Sequence, residues 1–183
     1  MQDEFNALLS NQTWSLVPRH PSMNIVGFKC VYKIKEKLDD CIKRYKARLI
    51  AKSYNQQEGV DFTETFSPIV KLITIRTILS LSLTHHWPIR QLDVKNAFLY
   101  GVLSEEVYME QPPGFRNSSH PTHVCRLHKA IYGLKQTPQA WFQKFNGFLL
   151  HYGFICSRAD PSMFVFRSSI GIRSSLSMLT TLS

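Results

Sequence analysis

Cysteine is scarce. Cys30, Cys41, Cys125 and Cys156 stand far apart and form no C-x-x-C pair. That spacing offers no disulfide framework and points to an intracellular, reducing compartment. Long apolar runs are missing as well. The most apolar stretch, Leu72 to Leu83, carries Arg76 and is too short to span a bilayer. The N-terminus, Met1-Gln2-Asp3-Glu4-Phe5, is acidic and lacks the apolar segment of a signal peptide, so no membrane partner is expected. There are no internal repeats. Acidic residues are few, 13 against 22 Lys and Arg, for a net charge of +9 over 183 residues. What the chain does have is core-forming material: 44% hydrophobic residues and 12% aromatics, a composition that excludes overall disorder.

The basic excess is concentrated. Lys29, Lys33, Lys35, Lys37, Lys43, Arg44, Lys46, Arg48 and Lys52 face only Glu36, Asp39 and Asp40 in the same stretch. A local field of this sign favours a polyanion, with nucleic acid ahead of an anionic membrane. The plain alternative is the solvated face of a hairpin.

Residues 3–10 read as a short amphipathic helix with Phe5, Leu8 and Leu9 on one face, and Trp14 to Val17 as a strand. Residues 25–36 alternate as a half-buried strand. Leu38-Asp39-Asp40-Cys41 reads as its turn and 42–52 as its partner, a basic β-hairpin. A helix is expected from about Thr74, as N-cap, to His86, with Ile75, Ile78, Leu79 and Leu83 buried. Pro88 to Leu92 alternate as a strand that delivers Asp93 at its end, followed by a turn, Phe98 and Gly101. A carboxylate so placed can hold a metal ion, or serve only as a turn residue. Residues 106–110 and 122–128 read as strands. His120, His123, Cys125 and His128 cluster without a recognisable zinc spacing. Thr137, as N-cap, and Pro138 open a helix to His151, with Trp141, Phe145, Phe148 and Leu149 buried and Gly153 as its stop. After Phe166 the chain turns Ser- and Thr-rich.

Six segments carry a family resemblance: Asn11-Gln12-Thr13-Trp14-Ser15-Leu16-Val17, Arg44 to Lys52, Glu64-Thr65-Phe66-Ser67-Pro68-Ile69-Val70, Gln91 to Gly101, Val107 to Phe115, and Tyr132 to Pro138. In this order and spacing the chain resembles the reverse transcriptase of copia-type LTR retrotransposon Pol polyproteins across about residues 3–166. The resemblance implies an α+β right-hand polymerase fold, with the basic hairpin in the fingers and the Asp93 segment in a partial palm. It implies RNA- and DNA-templated DNA synthesis by two-metal catalysis with Mg²⁺, on a template-primer and deoxynucleotide triphosphates. Asp93 matches the first metal-binding aspartate, with the Val94 carbonyl as a further ligand. Phe98 matches the aromatic that excludes a ribose 2′-OH. Lys46 and Arg48 would contact the triphosphate, and Gly133 and Lys135 would line the nucleotide pocket. Lys33, Lys35, Lys43, Arg44 and Lys52 would track nucleic-acid phosphates.

The family also supplies an adjacent Asp pair in a Tyr-Val-Asp-Asp hairpin. After Asp93 this chain offers only Glu105, Glu106, Glu110 and Asp160. Residues 167–183 are therefore expected to be a non-homologous, disordered tail. With one choice of synonymous codons, the neighbouring frame across Ser177 to Ser183 spells Tyr-Val-Asp-Asp-Ile-Ile, which suggests a frame slip near Ile172 or Arg173. Cys30, Ser53 and Gln139 stand where the family has Trp, Gly and Arg. The chain reads as a truncated, inactive polymerase domain, starting at Met1 just inside the homologous region. The alternatives are a nonspecific nucleic-acid-binding remnant, or a product with no role.

Overall fold

The computed structural model describes residues 1–36, 42–168 and 171–177, with side chains at 1–34, 42 and 45–166. The expected turn at 38–41 lies outside the described residues. The chain forms two compact units, 1–65 with 96–141 and 66–95 with 142–183.

The first unit begins with helix α1 (Gln2–Ser10), which buries Leu8 and leaves Leu9 exposed. Strands β1 (Trp14–Val17), β2 (Ile25–Val26), β3 (Phe28–Glu36) and β4 (Ile42–Ala51) follow, then β5 (Val102–Met109) and β6 (Val124–Lys129). A four-stranded sheet runs β1-β6-β5-β2. It is antiparallel except for the parallel β2–β5 pair. The alternation of β5 turns Leu103, Val107 and Met109 inward against Cys125 and Leu127 of β6. Val26, Leu49, Leu99, Ile131 and Leu134 complete this core.

The single strand expected over 25–36 is two. Chain after Val26 leaves β5, and beyond Gly27 it pairs with β4 as a separate two-stranded hairpin. Only the hairpin's base reaches the core, through Leu49 and Ala51, with Phe28 and Cys30 packed beside them. Further out Tyr32, Ile34 and Tyr45 are exposed, at 69%, 50% and 75%. The half-buried expectation fails there because two strands alone give the distal half no covering layer.

The second unit holds helix α2 (Leu72–Thr84), most of helix α3 (Thr137–His151), and a sheet of β7 (Phe154–Cys156), β8 (Met163–Ser168) and β9 (Gly171–Ser177) in that order, antiparallel. Part of the tail read as disordered is thus strand β9. Phe164 of β8 is fully buried, and Phe142 and Phe145 of α3 pack on it. Phe148, expected to be buried, is 56% exposed and lies against Tyr152, although its spacing from Trp141 and Phe145 puts it on the same helix face.

Two caps differ from expectation. Helix α2 starts at Leu72, and Thr74 Oγ1 donates to Asp160 Oδ2 at 2.6 Å instead of capping the helix. Thr137 Oγ1 donates to the Ile131 carbonyl at 2.6 Å, fastening the turn before α3. In α2 the apolar residues go all round, so no single face can bury them. Leu79 and Leu83 are exposed, and Ser82 is the helix's buried residue. No helix among the described residues is long and apolar enough to cross a membrane.

Candidate nucleic-acid interface

The hairpin register twice sets cation against cation. Lys33 lies opposite Lys46 and Lys35 opposite Arg44, while Arg48 faces Val31. Like charges directly across a ladder repel, so this strand pair carries an electrostatic cost that a bound polyanion would relieve. Side chains of Lys35, Lys43 and Arg44 lie outside the described residues. Lys52 ends the hairpin, and its N–H donates to the Gly27 carbonyl at 2.8 Å.

Helix α1 brings one carboxylate to this field. Burial raises the pKa of Glu4, while the Leu49 N–H and the Arg48 and Lys46 cations pull it the other way. Beside the hairpin base lies an open groove of about 720 Å³. Phe28, Tyr32 and Phe115 line it with Lys29 and Arg116, and Glu110 is its acidic member. Aromatic faces between cations suit a single nucleic-acid strand, whose bases stack while its phosphates are neutralised.

Tyr132 is the hub that the residue patterns did not single out. The Arg48 guanidinium lies 4.5 Å from the centre of its ring, and Phe98 meets the ring edge-on at 4.7 Å. The Tyr132 carbonyl accepts the Ala51 N–H at 2.7 Å, which ties the turn to the end of β4. Gly133 follows with φ of +92°, and a Cβ there would stand 2.3 Å from the Ala51 carbonyl oxygen. Only glycine fits such a seat. The first unit therefore brings together Arg48, Phe98 and Gly133 around Tyr132. Lys135 extends from the same turn, exposed between buried Leu134 and Gln136. A half-buried tyrosine hub in a Tyr-Gly-Leu-Lys turn shows itself only through the side chains around it, which are distant in sequence.

Phe98 sits in a 3-10 turn, Ala97–Tyr100, and is 8% exposed. Asn96, just before it, takes a left-handed conformation at φ +54°, one that Asn tolerates better than most residues.

Asp93 and Val94 belong to the second unit. The expected strand over Pro88 to Leu92 is absent, and residues 88–94 have no regular structure. A strand exists only where a neighbour completes its ladder. Without one, Ile89, Leu92 and Val94 stay exposed at 55%, 75% and 43%. Asp93 is exposed too.

Most later carboxylates are engaged elsewhere. Glu105 accepts from Thr63 and Ser104, and Glu106 pairs with Arg126 at 2.7 Å and accepts from Tyr108. Asp160 is 3% exposed. Burial alone would raise its pKa, but the Ser162 and Thr74 hydroxyls, with backbone N–H groups of Ser162 and Lys71, hold it down at about 2. Among the described residues no three His, Cys, Asp or Glu come together as a metal-binding set. A lone exposed carboxylate does not fit a two-metal centre. The histidine cluster is likewise dispersed. His120 and His123 rings are 4.6 Å apart, His128 meets Ser15 at 2.9 Å, and burial pushes the Cys125 thiol up to about 12.

Known proteins contain regions similar to this sequence. The Retrovirus-related Pol polyproteins from transposons RE2 and RE1 of Arabidopsis thaliana are 52% and 50% identical to it over 168 residues, 91% of this chain and 12% of theirs. That from transposon TNT 1-94 of Nicotiana tabacum is 44% identical over 169 residues, 92% of this chain and 13% of its own. The chain thus spans about an eighth of the length of these relatives. No solved structure matches it significantly. Residues 11–172 match the family model described as reverse transcriptase (RNA-dependent DNA polymerase), and the chain belongs to that family, in its copia-type retrotransposon branch.

Proposed function

We propose that this chain is the fingers and part of the palm of a right-hand reverse transcriptase. In this reading it holds a template-primer and the phosphates of a deoxynucleotide triphosphate, and on its own it does not synthesise DNA. The observation that carries the reading is the assembly within one unit of the basic hairpin, Arg48 on Tyr132, Phe98, and the Gly133–Lys135 turn. Arg48 and Lys46 supply positive charge for a triphosphate, with Lys33 and Lys52 along the nucleic-acid backbone. Phe98, rigidly seated, would stand under the incoming sugar and reject a 2′-OH by contact. The groove lined by Phe28, Tyr32 and Phe115 would take the single-stranded template.

Reverse transcriptases work with divalent metal ions, and Mg²⁺ is the ion the family resemblance implies. Asp93 and the Val94 carbonyl would belong to that centre, but the sequence after Asp93 has no adjacent Asp pair to complete it. Loss of such ligands removes many orders of magnitude of rate. We take residues 1–166 as the polymerase portion and the tail from about Ile172 onward as a frame-shifted replacement of the catalytic hairpin. Sequencing the transcript from the Ile170 codon onward tests that: a neighbouring frame without Tyr-Val-Asp-Asp overturns it.

Binding and synthesis are tested separately. Binding of a primed RNA template should weaken steeply with salt. Lys46→Ala and Arg48→Ala should each lower the log–log slope by about one. Salt-independent binding, or none, overturns the interface. Primer extension on the same template with Mg²⁺ or Mn²⁺ should yield no product. Synthesis that disappears in Asp93→Ala would show an active centre and sink the no-synthesis reading.

A further inference from the structure

Lys135 is exposed, yet it is fixed at both ends. Its backbone N–H donates to Gln56 Oε1 at 2.8 Å, and its ammonium lies 4.4 Å from the centre of the Phe62 ring. Gln56 is 5% exposed and Phe62 is 7% exposed. Behind them runs a buried polar chain. Gln56 Nε2 donates to Gln136 Oε1 at 2.9 Å, and Gln136 Nε2 donates to the Asp61 carbonyl at 2.7 Å. Asp61 Oδ2 accepts the Gln57 N–H at 2.8 Å and the Asn24 amide at 2.5 Å. Asp61 Oδ1 is buried and has no hydrogen bond among the described residues.

Burying two glutamines and an aspartate costs stability unless each is satisfied, and one carboxylate oxygen here is not. A purely structural link between two loops would be met more cheaply by apolar packing. What this network adds is direction: it fixes the backbone of the one exposed residue in the turn and places an aromatic face under its charge. A long lysine side chain normally loses about 2 kcal/mol of rotamer entropy on being ordered. Holding it in place beforehand removes part of that cost from binding.

We propose that Gln56, Gln136 and Asp61 are positioning residues that hold Lys135 ready for a phosphate of the bound nucleic acid or nucleotide, with Phe62 as the platform for its ammonium. This rests on the reading of the turn as part of the nucleic-acid interface. Neither glutamine touches the ligand; both act through Lys135.

The test measures binding of the full chain to a primed RNA template as a function of salt, with thermal unfolding recorded for every variant. Lys135→Ala should lower the log–log slope by about one. Gln56→Leu should lower it by the same amount, and the double variant by no more than either alone. A structural role would lower the unfolding temperature and leave the slope unchanged. If Gln56→Leu does not fold, Phe62→Leu keeps apolar volume while removing the ring face, and should also lower the slope. A wild-type slope in that variant, or in folded Gln56→Leu, overturns the proposal. If Lys135→Ala keeps the wild-type slope while Lys46→Ala lowers it, the interface stands and this inference falls. If the wild-type chain binds without salt dependence, both fall.

Discussion

Lys135 and Asp93 are both exposed charges, but they are supported in different ways. Lys135 stands on a glycine turn seated against β4, with its N–H held by Gln56 and its ammonium by Phe62. Asp93 follows a stretch with no ladder, flanked by Leu92 at 75% exposure and Val94 at 43%. The turn closes through contacts made inside its own unit. The carboxylate segment needs a neighbouring strand to become a strand at all, since extended backbone is stable only when its polar groups are paired. Support for an exposed charge can thus be complete in one unit and missing in the other.

The largest effect expected from this contrast is at Gly133. An alanine there must shift the Ala51 carbonyl, 2.3 Å from the new Cβ, and also adopt φ +92°. We expect Gly133→Ala to cost about 3 kcal/mol or more in urea unfolding. Asp93→Ala should cost less than about 0.5 kcal/mol, because an exposed side chain on irregular backbone has little to lose. Equal costs at the two positions would remove the distinction.

The second effect is smaller and depends on pH. Asp160 links the turn before β8 to the first turn of α2 through Thr74. Its folded pKa of about 2 lies below the ordinary carboxylate value of about 3.9. The group therefore adds stability that is fully present above about pH 4 and is lost as pH falls towards 2. Asp160→Asn should cost about 2 kcal/mol at pH 7, as for a charged acceptor with several donors. The gap from wild type should close between pH 4 and pH 2. A gap that stays constant over this range would show that the charge of Asp160 plays no part.

Legibility in the sequence followed the range of the interactions. The alternation at Trp14 to Val17 and the periodicity from Thr137 to His151 gave correct elements because local pattern decides them. The pairing of the two hairpin strands was legible for the same reason from Phe28 onward, whereas the switch of residues 25–26 to β5 and the exposure of the distal half were not. Pro88 to Leu92 alternates equally well yet forms no strand, since no residue within it encodes the partner. Thr74 and Thr137 look like helix caps by type, but each hydroxyl goes to a group outside its own helix. At the candidate interface, the resemblance gave roles to Arg48, Phe98 and Gly133. It gave none to Tyr132 and Gln136, though both lie in a matching segment, nor to Gln56 and Asp61, because their contacts join segments some eighty residues apart.

The smallest effect sharpens the comparison at α2. Leu83 is 70% exposed on a helix whose residues are apolar on every side. An exposed leucine contributes little to folding, so Leu83→Gln should change stability by less than about 0.5 kcal/mol. Its gain should appear instead in solubility, as a contiguous apolar surface promotes association. A cost near 2 kcal/mol would mean that Leu83 is covered in solution. Repeating the unfolding at tenfold different protein concentrations then separates the two sources of cover. A concentration-dependent midpoint assigns it to a second copy of the chain, whereas a fixed midpoint assigns it to packing within one chain and makes the second unit as self-sufficient as the first.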